Sequence, residues 1–131
     1  MRVLLDTHIV LWKLTADPAL PKAADDLILD DANTVFVSAV SIWEVAIKHA
    51  LQRGGPGDVP LSGQDFLAEL VTAGIVPMAI SGEHAAMIDT IPRLHNDPFD
   101  RLLLAQSKVE QMTLLTHDKV LARYELDVVV V

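Results

Sequence analysis

Short apolar runs that end at a polar residue and lead straight into a helical pattern recur along this chain, and they decide its architecture. RVLLD leads into THIVLWKL, TVFV into SAVSIWEVAIK, and TLLT into HDKVLARYE. Such a run, with no alternating polar face, suits a strand covered on both sides. Parallel strands need crossover connections, and the helical stretches between the runs supply them. The expected fold is therefore α/β, a three-layer α/β/α sandwich around a mainly parallel sheet. No composition break or repeat divides the 131 residues, so residues 1–131 read as a single domain able to bury its own core.

The boundaries of the other elements follow from breakers and caps. PKAADDLILDDA reads as a helix with Pro21 near its first turn, and SAVSIWEVAIKHALQR as a helix capped by Ser38 or Ser41 that stops in RGGPGDVP. SGQDFLAELVTAG is a helix capped by Ser62 and ended by Gly74; IVPMAI is a weak strand broken by Pro77, and Ser81 opens a further helix. NDPFDRLLLAQSKVEQM starts with Asp97 as N-cap and Pro98 in first position. HDKVLARYE is a short last helix, and DVVVV is a last strand whose unbroken β-branched run suits full burial.

Charge and cysteine usage narrow the chemistry. A formal net charge of −8 opposes a passive phosphate-binding surface, which relies on Lys and Arg to displace counterions. A nucleic-acid role would need metal and local positive charge from among Lys13, Lys48, Arg53, Arg93, Arg101, Lys119 and Arg123, although solvated surface charge is the ordinary role for most of them. Cysteine is absent, which excludes disulfides and thiolate zinc sites. The opening MRVLLDTHIVLWKL resembles neither a signal peptide nor a membrane span, because Asp6 interrupts it and no stretch approaches ~18 apolar residues. A cytoplasmic protein without a membrane segment is expected.

Four acids stand at strand-to-helix junctions: Asp6, Glu44, Asp100 and Asp118. Open α/β sheets collect their ligands at such junctions. Each acid also has a structural alternative. Asp6 and Asp118 suit N-caps, Glu44 fits both a capping box with Ser41 and an i,i+4 pair with Lys48, and Asp100 sits in a first turn where the helix dipole favours an anion. Asp97 is the better capping residue, which leaves Asp100 free to project. Taken together the acids say more, because two carboxylates ~4 Å apart repel by about 4 kcal/mol at an effective dielectric near 20. Converging acids imply bound protons or a cation, and an all-oxygen set selects Mg²⁺ or Mn²⁺. Such an arrangement suits phosphodiester hydrolysis.

The segments LLDTHIVLW, VSAVSIWEVAIK, HNDPFDRLLLAQ and LLTHDKVLARY resemble, in order and spacing, the successive motifs of the PIN domain family, and within it the VapC-type toxin branch. The likeness runs from Arg2 to about Tyr124, and DPFDRLLLAQ is its most specific piece. It implies an α/β/α sandwich and a Mg²⁺- or Mn²⁺-dependent ribonuclease acting on RNA. By motif position Asp6, Glu44, Asp100 and Asp118 match the family's catalytic and metal-binding acids, Asp100 being the one directly before Arg101. Asp6, Glu44 and Asp100 would surround the principal Mg²⁺, with Asp118 serving a second ion or a bound water. Thr7 and Thr116 match positions whose hydroxyls orient the site. The resemblance further implies a cognate antitoxin whose tail fills the acidic groove, and a homodimer; the mean hydropathy of +0.36 is in keeping with apolar partner surfaces.

The remaining motifs favour ordinary roles. His8, His49, His84, His95 and His117 show no i,i+4 pair or other zinc spacing, although His8 and His117 flank site acids and stand within reach of phosphate. Arg101 and Lys119 are further candidate phosphate contacts, an ion pair with a neighbouring acid being the simpler reading. Trp12 and Trp43 read as core packing in preference to base stacking. Two other functions stand beside the ribonuclease: a non-catalytic module of the same fold that binds a basic protein, and another Mg²⁺-dependent phosphohydrolase. An aspartyl-phosphate phosphatase would want D-x-D after the first strand, where His8 stands instead.

Overall fold

The structure is a computed structural model and describes residues 1–52 and 54–131, so Arg53, one of the candidate cations, lies outside the described residues. Five strands, β1 (Arg2–Leu5), β2 (Thr34–Ser38), β3 (Val76–Met78), β4 (Thr113–Thr116) and β5 (Val128–Val130), form one sheet in the order β3-β2-β1-β4-β5. Every neighbouring pair is parallel. The helices are α1 (Thr7–Leu14), α2 (Lys22–Leu29), α3 (Ala39–Ala50), α4 (Gly63–Thr72), α5 (Gly82–Met87) and α6 (Pro98–Glu110).

The apolar strands bury both faces, as their composition requires. Val3 and Leu5 of β1 join Leu115 of β4 in one cluster with Ile9, Val10, Ala24, Phe66 and Leu70 from α1, α2 and α4. Leu4 and Leu114 point the other way, into a second cluster with Leu103, Leu104 and Ala105 of α6 and with Leu121. This alternation of side-chain direction puts a three-layer sandwich around the sheet. Burying each such leucine contributes about 1.5–3 kcal/mol.

Capping places the helix starts at the sheet's carboxyl edge. Ser38 accepts from Val40 N at 3.0 Å, Asp97 from Phe99 N at 2.9 Å, and Ser62 from Asp65 N at 3.1 Å. Ser81 and His84 form a reciprocal capping box at α5. Gly74, with φ +73°, lies just beyond α4, and Gln111 closes α6 in the same left-handed region.

The structure departs from the sequence reading in three places. The last helical segment, Lys119–Arg123, is a 3₁₀ helix, part of the short parallel crossover, residues 117–127, that joins β4 to β5. DVVVV does not occupy a fully buried position: β5 is an edge strand and its residues are half-buried. Glu44 and Ser41 do not form the capping box of α3, since Ser38 is its N-cap. Pro77, by contrast, sits where a strand tolerates it, on β3 at the other edge. Among the described residues no helix is long and apolar enough to cross a membrane.

Candidate functional site

The strand order changes direction between β1 and β4, since β2 and β3 lie to one side of β1 while β4 and β5 lie to the other. Helices diverge from such a point, and the crevice at the strands' carboxyl ends is where open α/β sheets bind ligands. Asp6 leaves β1 at this point with its N–H on Leu115 O at 2.9 Å, and Thr116 ends β4 beside it. All four acids singled out in the sequence line one cleft here, of about 360 Å³, together with His8, Trp12, Lys48, His95, Asp97 and His117.

Asp6 is 5% exposed. Its Oδ1 accepts from Thr7 N and its Oδ2 from Thr116 Oγ1, both at 2.6 Å. Burial pushes its carboxyl above the ordinary range, against the opposing pull of these hydrogen bonds and of His8. The residue is thus both the cap of α1 and a member of the cleft.

Glu44 is also buried, one turn into α3. Thr7 Oγ1 lies 2.7 Å from its Oε1 and 2.8 Å from Ser41 Oγ, while Lys48 Nζ meets Oε2 at 2.6 Å. Thr7 has one hydroxyl proton, and the carboxylate is the stronger claimant. Lys48 is the only Lys or Arg among the described residues lining the cleft. The other described candidates are elsewhere: Lys13 pairs with Asp25, Arg101 donates to Ile91 O at 2.7 Å, and Lys119, Arg93 and Arg123 are exposed outside it.

Asp100 owes its position to Asp97, whose Oδ1 takes the Phe99 and Asp100 amides and leaves the Asp100 side chain free to enter the cleft. Its pKa is pushed up to about 7, first by burial, then by the charges of Asp6 and Asp97, with His95 pulling the other way. Asp118 follows β4; its N–H donates to Thr116 Oγ1 at 3.0 Å and its Oδ1 caps the 3₁₀ segment through Val120 N at 2.9 Å.

His95 joins the last two acids, with Nε2 2.9 Å from Asp118 Oδ2 and 3.0 Å from Asp100 Oδ2. Ligand atoms of these three residues lie within 4.8 Å of one another. Residue spacing carries no sign of this, because His95 reaches the site from an irregular loop; its nearness to the DPFDR segment is the one available cue. The tryptophans also differ from expectation. Trp43 is 60% exposed, edge-on to Phe99, and Trp12 is only partly buried, lining the cleft with its ring 5.4 Å from His117 and 6.0 Å from His8.

These residues fit a divalent cation. Oxygen donors converge, two of the carboxyls are driven toward their neutral forms by burial and by neighbouring carboxylates, and among the described residues lining the cleft Lys48 is the one fixed positive charge. A hard cation relieves that conflict and accepts that donor set.

The family model described as PIN domain matches residues 3–126. No curated protein sequence matches the chain. Similar solved structures include VapBC2 from Rickettsia felis bound to a DNA fragment from its promoter, at 15% identity and TM-score 0.71, covering 98% of each chain. Another is VapBC-1 from nontypeable Haemophilus influenzae, at 13% identity and TM-score 0.65, covering 99% of this chain and 98% of that one. A toxin-antitoxin complex from Klebsiella pneumoniae gives 17% identity and TM-score 0.63 over 97% and 95% of the two chains.

Proposed function

Because the chain belongs to the PIN domain family, we propose that it is a divalent-metal-dependent endoribonuclease of the VapC type, the toxin of a toxin-antitoxin pair. The observation that carries this reading is the convergence of Asp6, Glu44, Asp100 and Asp118 on one cleft at the switch point of the sheet. Asp6, Glu44 and Asp100 would hold the principal Mg²⁺, for which Mn²⁺ would substitute, while Asp118 orders a second ion or the attacking water. When bound, the ion lowers the pKa of that water and offsets charge building on an in-line phosphate.

The chain's own residues do the positioning. Thr116 and Thr7 fix the rotamers of Asp6 and Glu44, so the ligands need little rearrangement on binding. Lys48 holds Glu44 in place and supplies positive charge where an RNA phosphate must enter an acidic cleft.

The similar structures are described as toxin-antitoxin complexes, which supports a cognate antitoxin as partner here, and the acidic cleft suits a basic residue from it. Trp43, Ile47 and Leu51 on or beside α3 and Leu67 and Val71 on α4 are exposed apolar residues, in keeping with a homodimer or antitoxin contact. The reading also takes residues 1–131 as one PIN-like domain acting in the cytoplasm. The deciding experiment incubates purified, partner-free protein with a mixed structured RNA pool in Mg²⁺ or Mn²⁺. Defined cleavage removed by EDTA and by Asp6→Asn is expected; a folded protein that cuts nothing would favour a binding module.

A further inference from the structure

His95 stands among carboxylates where a ligand would be expected, yet its hydrogen bonds give it a different part. Its Nε2 faces Asp118 Oδ2 at 2.9 Å and Asp100 Oδ2 at 3.0 Å. Its Nδ1 accepts from the backbone N–H of Asp97 at 3.2 Å. An amide has only a proton to give, so Nδ1 carries none, and the neutral ring keeps its proton on Nε2. Ligation through Nε2 would move that proton to Nδ1 and set it against the Asp97 N–H. Metal-bound imidazoles have the reverse arrangement, with the second nitrogen donating to an acceptor.

The loop that carries the ring is tied down. His95 N donates to Tyr124 Oη at 2.9 Å, and that hydroxyl donates to Pro92 O at 2.9 Å. Tyr124 is itself buried in the core beside α6. The ring is therefore held with an N–H directed at the acids and cannot readily exchange its two nitrogens. Two other donors lining the cleft are engaged: Lys48 with Glu44, and His117 Nδ1 with the Val131 carbonyl.

Resting on the ribonuclease reading, we propose that His95 is a substrate-contacting residue and not a metal ligand. Its Nε2–H, released when Asp100 and Asp118 turn their oxygens to a cation, donates to a non-bridging phosphate oxygen of the RNA. The donor lies beside the ligands because the phosphate must reach both at once. Removing the ring takes away a competitor for the carboxylates and a contact to the substrate together, so metal affinity and RNA turnover move independently.

The test compares wild type, His95→Ala and His95→Gln for Mn²⁺ binding by electron paramagnetic resonance and for cleavage kinetics on a labelled RNA pool. Bound Mn²⁺ in the wild type should show no ¹⁴N coupling, and His95→Ala should bind Mn²⁺ as well or more tightly, which also reports an intact site. Its kcat/KM should fall about tenfold or more, the usual loss for a hydrogen bond to a charged group, with His95→Gln recovering part. A ¹⁴N coupling, a tenfold loss of Mn²⁺ affinity in His95→Ala, or unchanged kcat/KM in an active enzyme would overturn the proposal alone. A wild type that binds Mn²⁺ but cuts no RNA would overturn the ribonuclease reading, and this proposal with it.

Discussion

Thr116 donates its hydroxyl to Asp6 Oδ2 at 2.6 Å, joining the ends of two adjacent strands that lie 110 residues apart in the chain. The same hydroxyl accepts from Asp118 N at 3.0 Å. One small side chain thus sets two of the four acids.

Thr116→Val removes that donor while keeping the side chain's size. A lost hydrogen bond to a buried charge costs about 1.5–3 kcal/mol, and burial then raises the Asp6 carboxyl further. Mn²⁺ affinity should drop about tenfold at neutral pH, with the binding curve displaced to higher pH, and Thr116→Ser should restore it. Calorimetric titration across pH checks this.

Asp100 should make the metal-free protein less stable as it ionises. Its folded pKa of about 7 lies above the ordinary 3.8, so the neutral carboxyl favours folding. That contribution is whole below 3.8 and is lost as pH rises through about 7. In EDTA at pH 8, Asp100→Asn should melt above wild type by about 1–2 kcal/mol, a figure reduced for solvent screening, yet it should cut no RNA. Thermal melts at pH 5 and pH 8 would expose an Asn variant that gains nothing on the alkaline side, contrary to this account.

Lys48→Met leaves Glu44 buried with Thr7 as its remaining hydrogen-bond donor. The metal-free variant should lose about 1 kcal/mol of stability, the scale of a half-exposed ion pair. Saturating Mn²⁺ should recover most of that loss, because it neutralises the same carboxylate. Denaturant titrations with and without Mn²⁺ separate the two contributions.

The exposed band on α3 and α4 predicts self-association. Trp43→Lys should shift the protein toward monomer in light scattering at fixed concentration, since it places a charge where an apolar contact is expected. An unchanged mass across a concentration series would argue that the band serves another partner.

Much of this site was legible because Asp6 and Asp118 follow short apolar strands and Asp100 lies in a helix's first turn, positions set by local sequence; Glu44 is not at a strand-to-helix junction but inside α3, and no strand directly precedes α6. Asp6 and Asp118 are caps as well as cleft residues, so a capping signal and a site signal coincided. Asp97 drew the cap away from Asp100, as its place before Pro98 implied. His95 was not legible, since its role depends on a loop whose course is set by Tyr124, 29 residues further along the chain. Trp43 misled for a related reason: helical periodicity gives a face but not what covers it, and here the face is open. The run DVVVV has the composition of an inner strand, and only the strand order reveals that it lies at an edge.

The pairing of β1 with β4 sets a timetable. Asp6 and Glu44 leave the ribosome long before Thr116 and Asp118, and β4 cannot take its place beside β1 until most of the chain has emerged. Until then Asp6 lacks its orienting Thr116 hydroxyl, and the first two acids lack Asp118. The four-acid site is therefore assembled late, and the ribonuclease activity proposed above would be missing from the partly made chain.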